Sequence, residues 1–508
     1  LPCPSPPGFL QVTPLPTDVY DNPLIGRYAS REMAERWGPL RKFRTWRRLW
    51  LALAEAEAEL GLLADDGVSP RIRPDQLAEL RAHLDDVDLA NAAAHEKRLR
   101  HDVMAHVHAL RDVAPGCNDI VHLGATSCYV TDNADLFLMR ESLDQVCRTL
   151  AAAIDALARF AERWKDEPTL GFTHFQPAQL TTVGKRATLW LYDLVLDLHE
   201  LERRRDELPF RGAKGTTGTQ ASFLELFRGD HEKVKELDRR VAAKMGFTNL
   251  VPVTGQTYTR KLDSFVLDAL SGLGQSLHKW GTDLRLLANR QEIDEPFEAE
   301  QIGSSAMAYK RNPMRAERMC GLARYLMNLP AMAADTAATQ WFERTLDDSA
   351  PRRLYIPQAF LCTDAVLRIA LNLLTQKTGP DTVGLVVNVP VVARNVREYL
   401  PYMITENLMM AATLAGGDRQ VVHEVVREES HAVTAKVKAG TGTTAELLDR
   451  LRDRAAFQKI DFEMYANQSP REFVGRSPEQ VTEFGAEHVA PVRARYAAAL
   501  GMKAELSV

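Results

Sequence analysis

Apolar residues along this chain recur with the spacing of one face of a helix. Trp46, Leu49, Trp50, Leu53, Ala56 and Leu60 stand three or four residues apart, and Gly61 follows as a residue able to take the left-handed conformation that ends a helix. The same period returns in Leu143, Val146, Leu150, Ile154, Leu157 and Ala161, then in Leu191, Leu194, Val195, Leu198 and Leu201. It is longest in Leu262, Val266, Leu270, Leu273, Leu277, Trp280, Leu284 and Leu287. At 1.5 Å per residue, helices of about 25 residues reach about 40 Å, a length that suits a bundle. Two more helical stretches are predicted over 314–340, with Pro330 as a kink, and over 356–376, with Pro357 in the first turn, where a missing N–H costs little. Strand-like alternation is scarce, so the pattern predicts an all-α protein around a central long-helix bundle.

Length and composition divide that picture. At about 150 residues per domain, 508 residues make about three domains. Residues 1–22 are proline-rich and almost uncharged, and are expected to form a flexible arm. A helical N-terminal domain is expected over 23–126 and the bundle over 127–379; near 380 the apolar spacing loosens and charge rises, which marks a helical C-terminal domain over 380–508. Helices apolar over much of their circumference need neighbours on several sides, so a homo-oligomer is expected.

Charge and cysteine content exclude several classes. Lys+Arg 63 against Asp+Glu 68 leaves a formal charge of −5, with no basic excess for holding a nucleic-acid backbone. Cys3, Cys117, Cys128, Cys147, Cys320 and Cys362 are scattered with no CxxC, as reduced cytoplasmic thiols are. No run of 18 apolar residues and no signal-peptide pattern is present, so neither a membrane partner nor secretion is expected.

Three stretches carry candidate chemistry. In Gln301–Arg318, QIGSSAMAYKRNPMRAER, Lys310, Arg311, Arg315 and Arg318 stand beside serine hydroxyls in a loop between helices, a set that suits an anionic ligand. In Thr169–Arg186, His174 stands among Thr173, Gln176, Gln179, Thr181 and Thr182, a concentration of uncharged hydrogen-bonding groups ahead of a long helix. Residues 97–108, KRLRHDVMAHVH, hold His101, His106 and His108. The HxxxH spacing of a helical zinc site is absent there and no Cys or Glu completes a set, so no metal is expected and anion binding by Arg100 and His101 is the better reading. HLGATS (122–127), KGTTGTQ (214–220), TGQTYTRK (254–261) and WFERTLDDSAPRR (341–353) are weaker signals, and no Walker, GxGxxG or GxSxG pattern is present.

Gly303 to Pro313, GSSAMAYKRNP, resembles the GSSxMPxKxNP signature of the fumarase/aspartase superfamily, and the seven motifs quoted, in their order, resemble its adenylosuccinate lyase family of animal type from Arg27 to Leu506. The resemblance implies a three-domain all-α fold and a homotetramer whose active sites are shared between subunits. It implies elimination of fumarate from adenylosuccinate, giving AMP, and from SAICAR, giving AICAR, with no cofactor. By position, Ser304 is the general base, His174 the general acid and Glu317 the group that orients or charges it, while His101, Lys310 and Asn312 hold the succinyl carboxylates. Arg27, Tyr28, Arg100, Asp102, Thr126, Ser127, Thr173, Gln256, Arg318, Arg344, Ser349 and Arg353 match substrate-contacting positions, and His122 is expected beside the phosphate. Where the family has proline the chain has Ala308, which should leave the unliganded loop more mobile. Two alternatives are another fumarate-releasing lyase such as argininosuccinate lyase, and a non-catalytic protein on the same scaffold.

Overall fold

A computed structural model describes residues 20–380 and 382–506. All but the last three residues of the expected N-terminal arm lie outside this range. At its end, Asn22 accepts the Leu24 N–H through its side chain and the Ile25 N–H through its carbonyl, and so starts the first turn.

The helices that matter for function are α1 (Pro39–Glu59), α2 (Leu89–Leu99), α3 (Asp102–Val113), α4 (Ser127–Arg163), α5 (Val183–Glu207), α6 (Lys261–Asn289), α7 (Met314–Ala338), α8 (Ser349–Thr375) and α9 (Val389–Leu414). Helices α4, α5, α6 and α8 close a ring, with α4 against α5 and α8 and α6 against the same two, and α7 lies along α6 and α8. The predicted periodic residues fill the interior: Leu143, Leu150, Leu157, Leu198, Leu270, Leu273 and Leu277 are all fully buried.

Helix α8 explains why apolar length alone misleads. It is long and apolar enough to cross a membrane by composition, with a mean hydropathy of 1.3, yet 78% of that stretch is buried in the bundle. A helix with neighbours all round is apolar all round. Its start corrects the sequence reading: α8 begins at Ser349, so Pro357 lies in the helix interior and not in its first turn. Helix α4 likewise begins at Ser127, well before the periodic residues from Leu143, and its first turns bury Asp132 and Asn133 among Tyr129, Val130 and Leu136.

The other difference is a β-hairpin, β1 (Pro168–Thr173) and β2 (Gln176–Thr182), paired antiparallel with Thr173 opposite Gln176. His174 and Phe175 form its two-residue turn, both at positive φ, 50° and 62°. That is the pattern of a type I′ turn, which ordinarily takes Asn-Gly.

A second, smaller apolar cluster gathers Ile404, Leu408, Val433, Leu447, Leu451, Phe457 and Phe462. Beyond it Val481, Val489, Val492 and Ala504 return to the main core.

Candidate active site

Four helices begin at one cleft of about 680 Å³. Its lining includes Pro39 and Lys42 of α1, His101 and Asp102 at the head of α3, Ser127 and Thr131 of α4, and Asp348, Ser349 and Arg353 at the head of α8. The N-termini of α1, α4 and α8 carry no side-chain cap. Uncapped N–H groups and four converging helix dipoles make this a region of positive potential. Arg100, Arg344 and Arg353 line the same space.

The side chains are held by defined hydrogen bonds. His101 Nδ1 accepts the Met104 N–H at 3.3 Å, which leaves the proton of a neutral ring on Nε2, 3.3 Å from Ser127 Oγ. Arg353 pairs with Asp102 at 2.9 Å. Arg344 donates to Gln256 Oε1 at 2.7 Å, and Gln256 Nε2 donates to Thr126 Oγ1 at 3.3 Å. Arg100 sits in the left-handed region, φ 53°, between α2 and α3.

Beneath the cleft lies a network of buried charges. Arg260 binds Asp132 at 3.1 Å and Asp348 at 2.7 Å; Arg352 binds Asp263 at 2.7 Å and Asp135 at 3.0 Å. Tyr258 donates its hydroxyl to Asp263 at 2.6 Å. These pairs tie the starts of α4, α6 and α8 together, so the helix heads that shape the cleft cannot shift singly. The sequence reading did not find this network, because charges inside helical patterns are ordinarily solvated. The signal was present in TYTRKLD and DDSAPRR, two motifs dense in opposite charge. Lys42, also missed, carried no signal beyond standing next to Phe43 in an aromatic helix start.

His122 stands next to the cleft without lining it. Its Nδ1 accepts the Trp50 indole N–H at 2.9 Å, and its φ is 66°. Burial, and then the nearby His101, push its pKa down to about 4. It is therefore neutral near pH 7, with Nε2–H as its donor.

The remaining expected residues lie elsewhere on the chain. His174 and Thr173 are exposed at the hairpin tip. Ser304, Lys310 and Asn312 lie on the loop before α7, Glu317 and Arg318 on the first turns of α7, and Arg27 and Tyr28 on a short turn packed near α8. None of these seven loop, helix or turn residues, nor His174, lines the cleft of the same chain. Glu317 makes no hydrogen bond or ion pair to His174 among the described residues.

The loop is organised on its own terms. Ser304 Oγ accepts the backbone N–H of Met307 at 3.1 Å and of Ala306 at 3.4 Å, donors that would stabilise an alkoxide. Asn312 Nδ2 closes the loop onto the Gly303 carbonyl at 2.9 Å, and a Cβ on Gly303 would collide with the Lys310 carbonyl oxygen. Lys310 N–H donates to Met307 O at 3.0 Å, which makes Ala308 the second residue of a β-turn. No group of His, Cys, Asp and Glu suited to a metal ion occurs among the described residues.

Comparison with known proteins gives the family and the fold. Residues 39–327 match the family described as Lyase, and residues 401–484 the one described as Adenylosuccinate lyase C-terminus. Adenylosuccinate lyase of Schizosaccharomyces pombe is 50% identical over 467 residues, covering 92% of this chain and 94% of that one, and the Saccharomyces cerevisiae enzyme is 50% identical over 469. That of Schistosoma mansoni is 43% identical over 493 residues, 97% of this chain and 99% of its own. A fumarate lyase from Mesorhizobium shares the fold, with a TM-score of 0.75 over 92% of this chain and all of that one at 21% identity. Half-identity over more than nine-tenths of the chain makes it a member of the adenylosuccinate lyase family.

Proposed function

We propose that the protein splits the C–N bond of adenylosuccinate to give AMP and fumarate, and performs the same cleavage on SAICAR to give AICAR and fumarate. The observation that carries the reading is the cleft, where four helix N-termini meet His101 and the guanidinium groups of Arg100, Arg344 and Arg353. Both substrates are phosphate monoesters bearing two carboxylates, and such a site is built for anions.

The chemistry distributes as follows. Ser304 Oγ takes a proton alpha to a succinyl carboxylate, helped by its two backbone donors and by Lys310. The electron pair left on carbon forms the fumarate double bond as the C–N bond breaks, and protonated His174 gives its proton to the departing nitrogen. Charge that builds beside the carboxylate is stabilised by His101, Lys310 and Asn312. Thr173 flanks the acid, and Glu317 orients or charges it. The nucleotide end is held by Arg344, Ser349 and Arg353 of the cleft with Arg27 and Tyr28; Arg100, Asp102, Thr126, Ser127, Gln256 and Arg318 complete the contacts, and neutral His122 offers its Nε2–H near the phosphate.

Acid and base project from exposed segments away from the cleft of their own chain, which supports a homotetramer in which each site takes its cleft, its hairpin and its loop from different subunits. The five cysteines among the described residues, all buried and none in a disulfide, support a reducing, cytoplasmic setting. Incubation of purified protein with adenylosuccinate, followed by absorbance and by identification of AMP and fumarate, tests the reading. Release of fumarate from argininosuccinate instead, or from neither compound, would overturn it.

A further inference from the structure

Lys42 is the one cleft residue of α1 whose charge has no assigned work. It lines the cavity from the first turn of α1. Its ammonium lies over the rings of Phe43 and Trp46, 5.3 and 5.0 Å from their centroids, which fixes the stem against an aromatic wall. Among the described residues it makes no hydrogen bond and no ion pair through its side chain.

The carboxylates around it are already committed. Asp102 pairs with Arg353, Asp132 and Asp348 with Arg260, and Asp135 with Arg352. Glu96 is the only cleft carboxylate without an ion pair among the described residues, and it is the weakest of the charges acting on Lys42. Burial pushes the Lys42 pKa down; Asp135 opposes that shift and Arg353 adds to it. A lysine held beside an arginine, with its counter-charges spoken for, gains most from a ligand carrying two negative charges.

From this arrangement we infer that Lys42 is a substrate-binding residue that contacts the phosphate of the nucleotide, sharing it with the Ser349 and Arg353 end of the cleft. The inference rests on the proposed lyase reading and adds a residue to it. The phosphate, and not the succinyl end, is the partner because the cation that acts on Lys42 is Arg353, at the head of α8, whereas the carboxylate-binding set is carried by His101 and by the loop at Lys310 and Asn312. As an ammonium on a stem, it supplies point charge without the bidentate geometry of the arginines.

The test uses the full-length protein with AMP, adenosine and fumarate as separate probes. Lys42→Met keeps the length and apolar contacts of the stem. It should weaken AMP binding by about tenfold or more, raise KM for adenylosuccinate in proportion, and leave adenosine binding and inhibition by fumarate within about twofold. Turnover at saturation should stay within about threefold, and Lys42→Arg should recover part of the AMP affinity. Lys42→Gln, compared by circular dichroism and thermal midpoint, guards against a folding defect in the methionine variant. AMP affinity unchanged in both folded variants would overturn the inference, as would an equal loss for adenosine or a loss confined to fumarate. Wild-type protein that neither binds AMP nor cleaves adenylosuccinate would instead overturn the lyase reading itself.

Discussion

In the cleft, every arginine of the floor is buried and doubly paired, Arg260 to Asp132 and Asp348, Arg352 to Asp263 and Asp135. At the hairpin tip and on the loop before α7, by contrast, His174 and Lys310 are exposed, and the stabilising contacts are short-range: a two-residue turn, a hydroxyl accepting two neighbouring N–H groups, an asparagine closing a ring. The first region is pre-organised by the fold of a single chain. The second holds its local shape but has nothing of its own chain to act on. In the proposed lyase, binding and chemistry would fall on parts of the molecule with different local support, and assembly would bring them together.

The largest expected effects come from the exposed region. His174→Ala and Ser304→Ala should each lower kcat by about 10²- to 10⁴-fold while circular dichroism and thermal midpoint stay unchanged, because neither side chain contributes to a core. Near-normal turnover in either variant would remove its assigned role. The cleft floor should respond in the opposite way. Arg352→Met leaves the fully buried Asp263 and the half-buried Asp135 without their partner, and should cost about 3–5 kcal/mol in denaturant unfolding. A loss below about 1 kcal/mol would mean that the network does not hold the helix heads.

A smaller effect tests burial away from the site. Glu57, on α1, is fully buried, neither of its oxygens has a hydrogen-bond partner, and burial raises its pKa well above the usual carboxylate value. Its folded pKa exceeds its unfolded one, so its folded form is favoured at low pH and stability is lost as pH rises from the unfolded value towards the folded one. Glu57→Gln removes that titration. The variant should gain on wild type by up to about 1.4 kcal/mol per pH unit across that window, read from unfolding curves between pH 5 and pH 8. Parallel pH profiles would show that Glu57 is not buried ionisable in the way described.

The smallest effect returns to the loop. Ala308 is the second residue of its β-turn, where proline is favoured, and its N–H donates no hydrogen bond among the described residues. Ala308→Pro should therefore stabilise the ordered loop by up to about 1 kcal/mol and raise kcat/KM a few fold. Unchanged kinetics and unchanged hydrogen exchange in the loop would make Ala308 a neutral substitution.

The division between regions also decided what the sequence revealed. Helices whose buried face is aliphatic, such as Leu262 to Leu287, announce themselves by period. The starts of α4 and α8 did not, because Asp132, Asn133, Asp348 and Arg352 take the place of aliphatic residues there and the period fades where charge is buried. The hairpin was hidden for a different reason: Leu170, Leu180 and Thr182 are buried but Phe172 to Gln176 are exposed, so no period of two develops. Its turn gave no signal either, since His-Phe is a poor match to a type I′ turn. At the site, spacing and residue type located the loop and the His101 region, and the resemblance supplied the roles. Lys42 was invisible because a lysine on a helix reads as solvent-facing until the helices opposite it are in place.

Each active site is proposed to take its acid from one subunit and its base from another, and mixing of subunits reads that arrangement out. Inactive His174→Ala and Ser304→Ala proteins would be mixed, exchange of subunits confirmed with differently tagged chains, and adenylosuccinate cleavage followed over time. Activity should return to a sizeable fraction of wild type, because some mixed sites receive an intact His174 from one chain and an intact Ser304 from another. Complete exchange with no recovery of activity would contradict it, and would place acid and base together on a single chain.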